Sequence, residues 1–313
     1  MAAAATDRWR PTAPVTSRAR IRTLPMPFYA FHSPWEPAPQ STPDGTMLFA
    51  IGDVHGHLKH LHALLAVLQS EIEAARENGL ACTLIMIGDY VDRGPASLGV
   101  LRELDGLEHR LGIPVHLLRG NHDHYMIDFL TAEQQDPEAL EAWCGNGGSS
   151  TLAELGIGVK ELLDHDPMDL AAKARAEAGP KVLGVLARLE LYRPIGGYVF
   201  VHGGIQPDVP LGAQGLRELL WLREPFLTGR DWRHPFTAVH GHTIRGPEVL
   251  PHRIAIDSGA YRTGVLTAVQ LAGTELRFHS VGNEARSKAF ARLPGSAQKR
   301  RFSEPRRLPS PKG

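Results

Sequence analysis

Cysteine is almost absent: the 313 residues contain two, Cys82 in an apolar run and Cys144 far along the chain. They form neither a CxxC pair nor a disulfide framework, so any metal chemistry must rest on His, Asp and Asn, and a reducing, cytoplasmic setting fits best. Long apolar runs are missing too. No stretch reaches the roughly 18 to 20 residues that a membrane helix needs, and the N-terminus lacks the apolar core of a secretory signal. Net charge is zero, with 34 Lys and Arg against 34 Asp and Glu. That balance hides a basic tail, since residues 286–313 hold nine Lys or Arg and one Glu. The tail reads as a solvated, disordered end, and neither nucleic acid nor membrane is expected as a partner. What is present, at 42% hydrophobic content, is a globular chain able to bury one large core, or a core with an inserted subdomain.

Residues 1–46 carry eight prolines and five arginines without apolar periodicity and read as an extended, flexible arm. Within it MPFYAFHSPW is aromatic enough to dock on the body. From Met47 to residue 284 the pattern is that of a catalytic domain. An amphipathic helix is predicted near 58–77, with Leu61, Leu64, Leu65 and Leu68 on one face. A strand at 82–87, a helix near 96–110 and a strand at 114–118 complete a βαβαβ succession, the signature of a mostly parallel sheet covered by helices. Residues 123–191 show no further strand and read as a helical insertion containing WCGNGGSSTLAELG, whose glycines predict a tight loop. Strands are predicted again at 197–201, 236–239 and in RIAIDSGA at 253–260, followed by a hairpin over 264–281 turning at Ala272 and Gly273. Residues 285–313 form the basic tail.

Four short strings dominate the chain: GDVHG at 52–56, GDYVDRG at 88–94, GNHD at 120–123 and VHGG at 201–204. Each follows an apolar run, so each reads as a buried strand, a glycine that lets the backbone turn, and then an Asp, Asn or His. Side chains at strand ends converge in the crevice outside an open α/β sheet. The candidate ligands are Asp53, His55, Asp89, Asn121, His202 and a histidine of HGHT at 240–243. Carboxylate, imidazole and amide oxygen together suit divalent manganese, iron or zinc. Six such groups are too many for one ion that must leave room for substrate. Two ions roughly 3.5 to 4 Å apart, bridged by one carboxylate, distribute them better and generate a bridging hydroxide able to attack phosphorus in line. Asp89, central in order, is the natural bridge.

These strings, in this order, resemble the metallophosphoesterase superfamily and, within it, the bacterial serine/threonine branch of the phosphoprotein phosphatase family. The resemblance spans about Leu48 to Val269. It implies a four-layer α/β sandwich of two mixed sheets flanked by helices. It also implies that Asp53, His55 and Asp89 hold one metal and Asp89, Asn121, His202 and His242 the other, with manganese as the expected ion. His242, rather than His240, matches the family's glycine-histidine position. By the same resemblance His122 is the general acid and Asp92 orients it. Arg93, Asn121 and Arg223 of WLREPF would contact the phosphate.

The implied activity is direct hydrolysis of phosphomonoesters, with phosphoserine or phosphothreonine in proteins, or a phosphorylated small molecule, as substrate. Symmetrical diadenosine tetraphosphate hydrolysis is the alternative, because such enzymes share nearly the same strings. An inactive phosphate-binding module is a third possibility, but it would require a lost ligand, and none is missing. Ile244 stands where nucleases and cyclic phosphodiesterases of the superfamily carry a further histidine, which argues against that branch. Asp257 in IDSGA is either a support for a ligating histidine or a strand-end turn residue.

Overall fold

The computed structural model describes residues 28–283 and 303–308. The chain enters through two short strands, β1 (Tyr29–His32) and β2 (Glu36–Pro37). It continues as β3 (Thr46–Ile51), α1 (Leu58–Glu77), β4 (Ala81–Met86), α2 (Ser97–Leu104), α3 (Leu107–Leu111) and β5 (Val115–Leu117). Five helices then follow: α4 (Asn121–Thr131), α5 (Pro137–Trp143), α6 (Ser149–Glu154), α7 (Val159–Asp164) and α8 (Pro167–Ala187). The second half runs β6 (Tyr192–Ile195), β7 (Tyr198–Val201), α9 (Leu216–Trp221), β8 (Thr237–His240), β9 (Glu248–Leu250) and β10 (Arg253–Ala255). It ends with α10 (Ala260–Thr263), β11 (Val265–Ala272), β12 (Glu275–Gly282) and β13 (Arg306–Arg307).

The strands form two mixed sheets. One has the order β13-β1-β12-β11-β3-β4-β5, with β2 also paired to β12; the other has the order β6-β7-β8-β10-β9. At one end of the first, β3, β4 and β5 run parallel; at the centre of the second, β7, β8 and β10 do so. Strand alternation sets the layers. Leu48 and Ala50 of β3 and Ile85 of β4 face inward to meet Tyr198, Phe200, Val239 and Ile254 of the other sheet. Phe49, Ile51, Leu84 and Met86 face outward against Leu61, Leu64 and Leu68 of α1 and Leu98 and Leu101 of α2. On the far side Val199, Val201 and Ala238 pack beneath Leu219, Phe226 and Leu227. The result is the four-layer sandwich expected for a metallophosphatase fold. Both faces of the central strands are covered, which is why they read as continuous apolar runs.

Several expectations need correction. Residues 28–46 are not a flexible arm: β1 pairs with β12 in register from Tyr29↔Gly282 to His32↔His279, and Phe28 and Phe31 are buried. Part of the basic tail is ordered as well, since Arg306 and Arg307 pair with β1; residues 1–27, 284–302 and 309–313 lie outside the described residues. The helix expected over 96–110 is two helices separated at Asp105 and Gly106. The segment 123–191 is helical, and its glycine string, Cys144–Gly148, is a kink between two helices in which Gly147 takes a φ of 108°. The hairpin turns one residue later than expected, between Ala272 and Glu275. Among the described residues no helix is long and apolar enough to cross a membrane.

Candidate metal centre

The site lies where β3, β4, β5, β7 and β8 end, and its backbone is strained. Six non-glycine residues among those described have a left-handed φ; four belong to the strings, His55 (44°), Asp89 (52°), Asp92 (73°) and Arg93 (68°), and a fifth, His242 (61°), to HGHT. A non-glycine residue held there costs of order 1 to 3 kcal/mol. Such a cost concentrated at one place marks a site whose side-chain directions matter more than local stability. Two glycines make the close packing possible. A Cβ on Gly120 would lie 2.1 Å from Asp89 Oδ1, and one on Gly241 would lie 2.1 Å from Asp53 Oδ1.

Asp53, His55, Asp89, Asn121, His202 and His242 are brought together. His55 donates from Nδ1 to the Val91 carbonyl (2.9 Å) and His202 from Nδ1 to the Ile87 carbonyl (3.1 Å). In both rings Nε2 is therefore the lone-pair nitrogen. These lone pairs face Asp89 from either side: His55 Nε2 is 3.3 Å from Oδ2 and His202 Nε2 is 3.3 Å from Oδ1. Asn121 Oδ1 lies 3.0 Å from His202 Nε2 and 2.9 Å from His242 Nδ1. Asp53 Oδ2 accepts the His242 backbone N–H (2.9 Å). Asp53 Oδ1 and His242 Nε2 are buried without a hydrogen-bond partner.

Electrostatics follow from this crowding. Burial, with Asp257 and Asp89 nearby, raises the Asp53 carboxyl well above the usual range. Burial also opposes charge on Asp89, but His202, His122, His55 and His242 outweigh it and hold that carboxyl below the usual range. Burial, reinforced by His202 and Arg223, lowers His242 to about 3, against the attraction of Asp89. Neutral imidazoles, a carboxylate shared between them, lone pair facing lone pair, and two orphaned buried donor atoms are what divalent cations would satisfy. The donor atoms of His55, Asp89 and His122 lie within 4.8 Å of one another, as do those of Asp89, His202 and His242. Asp89 is common to both groups. Asp53 is in neither.

On the other side of Asp89 stands a second constellation. His122 donates from Nδ1 to Asp92 Oδ2 (2.7 Å), and its Nε2 faces the Arg93 guanidinium (2.8 Å from Nη2). Burial disfavours charge on His122, but Asp89 and the hydrogen bond to Asp92 raise its pKa nonetheless. Arg93 is exposed and lies 4.3 Å over the ring of Tyr261, which also meets His55 edge-on at 5.2 Å. Arg223 is exposed at the end of α9, on the His242 side. His240 is not in the cluster: its Nδ1 is directed at the Gly241 carbonyl (2.9 Å) and its ring packs on Phe226.

Two further carboxylates support the site: Asp123, which has no role in the sequence reading, and Asp257, which has two alternative ones. Asp123 accepts the backbone N–H groups of Asp89 (2.8 Å), Gly120 (2.9 Å) and Tyr90 (2.9 Å), so it pins two of the motif turns to each other. Burial and the Asp89 charge push its carboxyl up to about 7. Asp257 accepts the Gly259 N–H (2.7 Å) and adjoins Asp53. Its place in IDSGA was noticeable in the sequence; its proximity to Asp53, over two hundred positions earlier, was not.

Fold and site together define a metal-dependent phosphatase. Residues 47–257 match the calcineurin-like phosphoesterase family, and the chain belongs to it. Over 265 residues it is 26% identical to an asymmetrical bis(5'-nucleosyl)-tetraphosphatase of Halalkalibacterium halodurans, covering 78% of this chain and 98% of that one. A symmetrical bis(5'-nucleosyl)-tetraphosphatase of Klebsiella pneumoniae is 44% identical over 91 residues, 29% of this chain and 28% of the other. Shewanella-like protein phosphatase 2 of Arabidopsis thaliana is 27% identical over 194 residues, 55% and 50% of the two chains.

Proposed function

We propose that the chain hydrolyses dinucleoside tetraphosphates, with Asp53, His55, Asp89, Asn121, His202 and His242 holding two divalent ions, manganese first among them. The observation that carries the hydrolytic reading is Asp89 standing between His55 and His202, 3.3 Å from each. When bound, the ions would neutralise phosphate charge and lower the pKa of water. The chain's own residues then supply the rest. Arg93, whose Nη1 donates to His55 Nε2 (2.7 Å) and Nη2 to His122 Nε2 (2.8 Å), turns from these two rings to the phosphate oxygens, where a guanidinium makes paired hydrogen bonds. Arg223 approaches from the His242 side, and Asn121 sits within reach of the same oxygens. As water adds to phosphorus and the bond to the leaving oxygen breaks, His122 Nε2 donates a hydrogen bond to that oxygen, and transfers a proton to it where the leaving group is basic, as in an alkyl ester. Asp92 keeps the ring oriented and favours its charged form.

Similarity to the Halalkalibacterium protein over 98% of that protein's length supports the dinucleotide as substrate. Phosphoserine or phosphothreonine in proteins is the second reading, supported by the likeness to the Arabidopsis phosphatase and by the WLREPF string at 221–226. The test is turnover of the manganese-loaded protein on diadenosine tetraphosphate and on a phosphoserine/phosphothreonine peptide, with Asp89→Asn as blank. Nucleotide products alone are expected, and either ATP with AMP or two ADP would identify the bond cut. Phosphate released only from the peptide would replace the first reading by the second.

A further inference from the structure

The string WCGNGGSST at 143–151 has no part in the site as described so far, yet it is wrapped around it. Asp92 is fully buried and each of its oxygens is engaged from the insertion. Trp143 Nε1–H donates to Oδ2 (2.8 Å), the oxygen that also receives His122 Nδ1–H. Thr151 donates its hydroxyl to Oδ1 (2.6 Å), and the Thr151 and Ser97 hydroxyl oxygens lie 3.0 Å from the Asp92 backbone N–H. The same string reaches Arg93: the Asn146 carbonyl accepts Arg93 Nε–H (3.3 Å) and the Gly147 carbonyl accepts its backbone N–H (3.2 Å). Gly148 has to be glycine for Trp143 to lie there, since a Cβ would come within 2.5 Å of indole Cδ1 and Nε1.

We infer that Trp143 and Thr151 are positioning residues that hold the Asp92–His122 pair in line with the leaving oxygen. The inference rests on the proposed role of His122 as proton donor. A carboxylate with two fixed donors besides the imidazole cannot rotate, so the ring it holds cannot rotate either. Phe129, 5.5 Å from the Trp143 ring, and the buried position of Thr151 keep these donors in place. The insertion thus does for the proton donor what strand ends do for the metal ligands.

The test is steady-state kinetics of the manganese-loaded full chain on p-nitrophenyl phosphate, whose leaving group needs little protonation, and on an alkyl phosphate, whose leaving group needs much. Trp143→Phe and Thr151→Val are each expected to lower kcat on the alkyl ester about ten-fold or more, the effect of losing one hydrogen bond to a buried charge. The aryl ester should lose less, and KM should stay within about two-fold on both. Thr151→Ser, which restores the hydroxyl, should recover most of the rate lost in Thr151→Val, and this pair decides the matter if Trp143→Phe does not fold. Equal losses on both esters, or wild-type rates on both, overturn the inference. His122→Asn is run alongside. Selective loss there, without selectivity in the other two variants, overturns the inference alone. Equal loss on both esters in His122→Asn overturns the proton-donor reading and the inference with it.

Discussion

Asp89 shows how one residue can carry a site. Its φ of 52° is a conformation that only glycine accepts freely, and it turns the carboxylate back between His55 and His202. One oxygen also receives the His122 backbone N–H at 3.0 Å, so the same side chain fixes the start of α4. With Asp53 and Asp257 close by, three buried carboxyls share one small volume, and a divalent cation relieves the repulsion among them. Manganese should therefore raise the thermal midpoint of the wild-type protein, by the equivalent of about 2.7 kcal/mol at a hundred-fold excess over Kd. Asp89→Asn should abolish both that rise and turnover, as read by differential scanning fluorimetry and metal content after gel filtration. A full manganese-induced shift in Asp89→Asn would remove it from the centre.

At the scale of elements, the site is an arrangement of strand ends around the first turn of α4. The strings were legible because each follows a run of apolar residues, buried on both sheet faces in β3, β4 and β7. For the same reason β3, β4 and β7 could be placed from sequence within a residue or two. β1, β2, β6, β9 and β13 could not. They are edge or near-edge strands of two to four residues; four of them, β2, β6, β9 and β13, contain or adjoin proline, and β1, β2 and β13 have partners far along the chain. The supporting residues were hidden for a related reason: Asp123, Trp143 and Thr151 act through hydrogen bonds spanning 33 to 59 positions, and no local pattern records those. Asp123 offers the clearest test at this level. Asp123→Ala leaves three buried N–H groups without their acceptor, at about 1 to 3 kcal/mol each if none finds water. Urea unfolding should show a loss of about 2 to 4 kcal/mol, with turnover falling as the two motif turns separate. Unchanged stability would mean the turns are held by the strands alone.

Taken whole, the molecule is two sheets whose facing sides make one apolar layer, and the chain before β3 helps to lock them together. Tyr198, the first residue of β7, belongs to that inner layer, and its hydroxyl donates to the Gln40 carbonyl at 2.6 Å. The second sheet is thereby tied to the segment that leads from β2 into the first. Composition concealed this tie, because residues 1–46 are rich in proline, and the strands that pair with residues 29–37 come more than 200 positions later. Burial pushes the Tyr198 phenol up to about 12 from its ordinary 10, and ionisation would also remove the proton that its hydroxyl donates to Gln40. The sign of the consequence is definite. Below pH 10 the phenol is neutral in both folded and unfolded chains and contributes no pH dependence. Between about 10 and about 12 the unfolded chain loses the proton and the folded chain keeps it, so stability falls as pH rises. Tyr198→Phe should cost about 1 kcal/mol at neutral pH through the lost hydrogen bond, yet its stability should decline less steeply than wild type above pH 10. Urea midpoints of the two proteins from pH 8 to 11.5 would read this directly. Parallel decline across that range would show that Tyr198 ionises as readily folded as unfolded, and that its hydroxyl does not join the two sheets.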